Sequence, residues 1–223
     1  MQINPSEVIS RSEGSVLATN KLIRNTYTLL SLTLIFSAMM AGLSYVLGVG
    51  HGVSLMCSIG ALALLWLVLP KTSNSSAGLG VVFAFTGLLG FGLGPLIGHY
   101  LSLPGGSHIV MTAMGGTGVI FLSLSGYALT TRRDFSFMGG FLFVGLMVAL
   151  VAMVANIFLA IPALSLALSA AIIMLFSGFI LYDTGRMVNG GETNYIHATV
   201  SLYLSILNIF TSLLHLLGAL GDD

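Results

Sequence analysis

Apolar residues in this chain come in long runs separated by short polar breaks. Seven runs stand out: Tyr27 to Leu47, Val53 to Leu69, Leu79 to Gly98, His108 to Leu129, Phe137 to Leu159, Ala163 to Tyr182, and Ile196 to Leu217. Each is close to the ~20 mostly apolar residues that a helix needs to cross a bilayer. The breaks, such as PKTSNSSAG, SLPGGSH and NGGETN, carry the Gly, Pro, Ser and Asn expected between helices. The pattern predicts an all-α fold, a polytopic membrane protein with seven transmembrane helices. Residues 1–26 form a polar N-terminal tail, 27–218 the transmembrane domain and 219–223 a short C-terminus.

Composition agrees, with 56% hydrophobic and only 6% charged residues, against roughly a quarter charged in soluble domains. A net charge of zero and few basic residues leave no footprint for nucleic acid. The single cysteine, Cys57, excludes an internal disulfide and a cysteine metal cluster. The first 25 residues lack the pattern of a signal peptide, so they are expected to stay on the mature protein, with the first span as targeting signal. Every Lys and Arg falls on one side of the seven-span map: Arg11, Lys21, Arg24, Lys71, Arg132, Arg133 and Arg186. The positive-inside rule then places the N-terminus in the cytoplasm and, after seven crossings, Asp222 and Asp223 outside.

The last span carries a polar stripe. His197, Ser201, Ser205, Asn208, Ser212 and His215 are spaced by four, four, three, four and three residues, which at about 100° per residue puts all of them in one narrow arc. Lipid cannot satisfy such groups, so this face must turn inward. Interhelical hydrogen bonding and a hydrated pathway both fit, and spacing does not choose between them. The glycines of GLLGFGLGPLIG in span three and GGTG in span four fit close helix packing or a hinge, and Pro95 should kink or break its helix.

Asp183 ends the sixth apolar run, near the negative end of the helix dipole, so something must offset its cost. Arg186, three residues on, could pair with it locally. Alternatively Asp183 leans towards the stripe of span seven and responds to protons or cations. Arg132, Arg133 and Asp134 read as a solvated loop and Glu192 as a turn residue. His51, His99, His108 and His215 map near the outer face, where scattered interfacial histidines and a pH-sensing or metal-binding cluster are both conceivable. No H-E-x-x-H, second intramembrane acid, nucleophile elbow, clear Ser and His dyad or phosphate-binding loop is present, so neither an enzyme nor a cofactor or metal site is expected.

Several stretches, taken together and in order, resemble the Bax inhibitor-1 family, and its bacterial inner-membrane branch in particular: RNTYTLLSLTLIFSA, AFTGLLGFGLGP, YALTTRRDFSFMGGFLFVGL, MVANIFL, ILYDTGRMVNGGETNYI and ATVSLYLSILNIFTSLL. The resemblance implies a seven-helix fold with the last helix near the centre. Calcium-leak members carry two aspartates, in the sixth and seventh helices, that control a pore by pH. Asp183 in ILYDTG matches the first and Asn208 matches a family asparagine, but Ser205 stands at the second acid's place. A serine cannot share a proton with a carboxylate. A pH-sensitive calcium or proton leak at Asp183, Ser205, Asn208, Ser201 and Arg186 would thus be a single-acid version of the family switch. For the bacterial branch the resemblance implies instead that the protein binds the FtsH protease and its regulators HflK and HflC as a poorly degraded, restraining substrate. Met1, Gln2, Ile3, Asn4 and Pro5 open the polar tail that such a protease would grip.

Overall fold

The computed structural model of the chain describes residues 5–221, with side chains from residue 16 onward. Helix α1 (Pro5–Val46) is followed by α2 (His51–Ala63), which passes through a π-helical stretch (Leu64–Val68) into α3 (Leu69–Thr72). Then come α4 (Ala77–Gly92), α5 (Gly94–Leu101), α6 (Gly106–Thr131), α7 (Met138–Leu159), α8 (Pro162–Val188) and α9 (Tyr195–Leu220). Among the described residues, seven helical segments are long and apolar enough to cross a membrane, and each covers one expected run to within a residue.

Two details differ from the hydropathy map. The tail expected over residues 1–26 is helical from Pro5, continuous with the first span, and its last residues Leu22 and Thr26 are buried. Met1, Gln2, Ile3 and Asn4 lie outside the described residues, as do Asp222 and Asp223. The sixth helix does not stop at Tyr182 but continues to Val188. Prolines mark the irregular points of spans two and three. Lacking an N–H and crowding the preceding turn, Pro70 follows the π stretch, where Leu69 N–H reaches back to Leu64 O. Pro95 opens α5 just after the break at Leu93.

The core sits around α9, which packs against α8, α6, α1 and α4. Leu202, Tyr203, Ile209 and Leu214 on α9 are fully buried. By contrast α7 lies at the edge and packs on α8 through Leu142 and Ala149 against Leu175. Its other faces expose Phe141, Val144, Val148, Val151 and Phe158, the side chains that a lipid-facing helix should present.

Glycine sets how closely α1 meets the third span. A Cβ on Gly87 would strike the Phe36 ring, one on Gly90 the backbone of Ser37, and one on Gly94 the Ser44 side chain. Close packing therefore accounts for these three glycines of span three. In span four Gly116 touches Leu213, but Gly115 and Gly118 face open space.

This contact predicts an asymmetry. Gly90→Ala should destabilise the bundle by about 1–3 kcal/mol through overpacking. Gly80→Ala, whose Cβ meets nothing within 4 Å, should be near neutral. Thermal unfolding of the two variants in detergent checks the difference.

Candidate functional site

Antiparallel packing of α8 on α9 forms a seam fastened at two points. At one, Ser201 Oγ donates to Asp183 Oδ2 at 2.7 Å. At the other, Ser169 Oγ and His215 Nδ1 share a hydrogen bond of 2.8 Å. The two points are fourteen residues apart on both helices, a separation of about 21 Å at 1.5 Å per residue. Asp183 is 8% exposed, and Ser169 and Ser212 are buried with it. From Ser201 to His215 the polar stripe of the last span is turned inward, bonding α8 at both ends, whereas His197, its first member, is exposed.

Within the seam the expected partners of Asp183 are corrected. Ser205 does not face the acid, because the register sets Ser201 opposite it, one turn earlier. The Ser205 hydroxyl donates to Ser201 O at 3.1 Å, and Asn208 Nδ2 to Leu204 O at 2.8 Å, so both are satisfied on their own helix. Arg186 does not pair with Asp183 either. Since α8 continues to Val188 and the chain turns at Gly190 (φ 76°), Gly191 and Glu192 come back over Arg186. Its guanidinium donates to Gly191 O at 2.7 Å, lies 3.8 Å from Glu192, and sits over the Tyr182 ring.

A cavity of about 100 Å3 remains, lined by Asp183, Arg186, Glu192, His197, Ala198 and Ser201. Two carboxylates, a guanidinium and an imidazole thus border one small space. Glu192, read from the sequence as a plain turn residue, also accepts the backbone N–H groups of Thr193 and Asn194, both at 2.8 Å. Asn194 caps α9 and reaches Ser73 O and Asn74 Oδ1, tying the start of the last helix to the loop before α4. The arrangement can hold a proton or a small polar guest. Among the described residues no three His, Cys, Asp or Glu side chains are placed to hold a metal. His51, His99 and His108 are exposed, and His215 is engaged with Ser169.

The Ser169 and His215 contact was not visible as a dyad in the sequence, because the partners come from different helices. Ser169 Oγ also contacts Ser165 O at 3.0 Å, and no carboxylate bonds the imidazole among the hydrogen bonds of the described residues. It therefore acts as an interhelical clamp. Arg132, Arg133 and Asp134 are exposed, and hydrogen bonds from Ser136 hold the Asp134 carboxyl below the usual carboxylate range.

The opposite face of α9 carries polar contacts that the stripe did not reveal. The Tyr203 hydroxyl shares a 2.6 Å hydrogen bond with Ser37 and approaches Thr86 O at 3.3 Å. Thr199 Oγ1 donates to Tyr195 O at 2.7 Å and reaches Thr26 O at 3.3 Å. Along α1, Thr26, Thr33, Ser37 and Ser44 recur at seven, four and seven residues and are all buried, but of their hydroxyls only that of Ser37 bonds α9, while Thr33 bonds Leu30 O on its own helix.

Fold and seam define a seven-span helical membrane protein that holds an acid between its last two helices. The chain belongs to the family described as inhibitor of apoptosis-promoting Bax1, whose model matches residues 19–222, as the motifs implied. It is 50% identical over 214 residues to the Escherichia coli K12 protein named modulator of FtsH protease YccA, covering 96% of this chain and 97% of that one. It is 48% identical over 207 residues to a membrane protein of Vibrio cholerae, covering 93% of each. A Pseudomonas aeruginosa protein is 43% identical over 91% of this chain and 90% of its own.

The seam predicts unequal effects for its two central serines. Ser201→Ala strips a buried carboxyl of its hydrogen-bond donor and should cost about 1–3 kcal/mol. Ser205→Ala, which removes a bond within one helix, should cost distinctly less. Unfolding temperatures in detergent compare them, and equal losses would contradict the register.

Proposed function

We propose that the chain is a non-catalytic, multi-pass inner-membrane protein that restrains an FtsH-type membrane protease, binding it as a poorly degraded substrate. The observation that carries this reading is the 50% identity, over nearly the whole of both chains, to the protein named modulator of FtsH protease YccA. The partners are the protease and its regulators HflK and HflC. The N-terminus lies in the cytoplasm and the C-terminus in the periplasm, a placement supported by the one-sided Lys and Arg distribution.

Physical features support the role. A protease that pulls from the cytoplasm engages the polar N-terminal residues, with Met1, Gln2, Ile3, Asn4 and Pro5 at their start. Pulling on α1 then has to part it from α4, α5 and α9, where backbones meet at Gly90 and where Tyr203 holds Ser37. Every such contact must be lost before the first span leaves the bundle, so extraction is slow and the protease stays occupied.

Removing residues 1–15 tests the grip while leaving in place the buried residues of α1 from Leu22 onward. The full chain should copurify with the protease and slow degradation of another membrane substrate. The truncated chain should lose both effects, and full restraint by it would sink the role of the tail.

A second reading is favoured by the placement of Asp183 beside its cavity: a pH-sensitive calcium or proton leak with Ser201, Ser205 and Asn208 along the route. Asp183→Ala in liposomes should then change the flux of calcium or protons. An unchanged flux would remove this reading and leave the first intact.

A further inference from the structure

A larger cavity, about 580 Å3, lies away from the α8 and α9 seam. It opens between α1 and α6, with Ile206 and Phe210 of α9 in its floor and Ile97 and Leu101 of α5 across one end. At the other end α1 and α6 are pinned together. The Tyr27 hydroxyl bonds Ser125 Oγ, and the Tyr27 ring lies 6.0 Å from that of Phe121. Beyond Phe121 the cavity separates the two helices, so the space is a wedge that ends where Tyr27 meets Ser125.

Small residues keep the wedge open. Ala38 and Gly42 line it from α1 and Gly118 from α6. A Cβ on Gly42 or Gly118 would meet nothing within 4 Å. These glycines are therefore unlike Gly87, Gly90 and Gly94, which are filled by a neighbour. No charged side chain lines the cavity, and the hydroxyls of Ser37 and Tyr203 in its wall already bond each other.

What fills such a space follows from where it is. All of its lining residues belong to membrane-spanning helices, and a cavity walled by carbon does not favour water. Left empty, it would forfeit dispersion contacts along its whole lining. Along α1 it extends from Leu34 to Tyr45, twelve residues or about 18 Å of helix. Half of a bilayer's hydrocarbon core is about 15 Å. A partner's transmembrane helix, ~10 Å wide, would need ~30 Å of groove and could run through only by breaking the bond between Tyr27 and Ser125. One hydrocarbon chain matches the cleft in length and chemistry.

We propose that this cleft is a binding site for a single acyl chain of a membrane phospholipid, entering sideways between α1 and α6. The lipid's head group stays at the membrane surface near Tyr45, and the chain end reaches the floor beside Tyr203. The bound chain supplies packing that α1 and α6 do not give each other. The site is independent of the protease-modulating reading and of the Asp183 seam.

The full chain in vesicles of phosphatidylethanolamine and phosphatidylglycerol, carrying a phospholipid with a photoactivatable group near the end of one acyl chain, provides the test. Mass spectrometry then maps the label. The cleft residues of α1 and α6 should be labelled several-fold more than the exposed face of α7, which meets bulk lipid. Gly42→Trp and Gly118→Trp fill the cleft from opposite walls, and each should lower cleft labelling several-fold while leaving α7 unchanged. Equal labelling of the cleft and α7 in the unmodified chain would overturn the proposal, whether or not the tryptophan variants fold. So would cleft labelling that both folded variants retain, or a cleft that crosslinks to a second protein chain instead of lipid.

Discussion

Everything in this bundle depends on one constraint: within hydrocarbon, a polar group must find its partner inside the protein. Helix α9 carries polar groups on two faces and so can sit only in the middle. One face meets α8 through Ser201 and His215, the other meets α1 through Thr199 and Tyr203. The central position of the last helix is thus forced by its side chains. Helix α7, which presents almost nothing polar, is left at the rim.

Around that centre, glycine and proline decide how near each neighbour comes. The glycines of α4 and α5 let α1 lie against them backbone to backbone, which in turn brings Ser37 within reach of Tyr203. Where α6 has glycines that nothing fills, the wall stays open instead. The same residue type therefore builds both a close joint and an open cleft, and the partner helix determines which.

Much of this was legible in the sequence, for identifiable reasons. A run of apolar residues reports a span directly, so the seven crossings and the all-α class could be read, and the ordered motifs marked the family. The inward stripe of the last helix was readable because period and polarity coincide. Its pairing was not: a stripe on one helix says nothing of how far the next helix is shifted along it, so Ser205 looked as good a partner for Asp183 as Ser201. The end of α8 was misplaced because hydropathy falls at Asp183, although Asp183, Thr184, Gly185 and Arg186 continue the helix. Arg186 looked free to pair because the return of the chain at Gly190 is a tertiary event. The wedge between α1 and α6 depends on how two helices distant in sequence are set beside each other, which no one-dimensional pattern encodes.

The two fastenings between α8 and α9 also limit how these helices can move past each other. If α9 slipped by one turn, about 5.4 Å, so that His197 came opposite Asp183, the same shift would bring Ser165 opposite His215. Both junctions would still join polar to polar. Slippage the other way would offer Ser205 to the acid but strand His215 against Ile173, an imidazole facing hydrocarbon. At these two junctions sliding is therefore opposed more strongly in one sense than in the other, which gives the seam the mechanical character of a pawl, while the Tyr203 bond to Ser37 holds α9 against both.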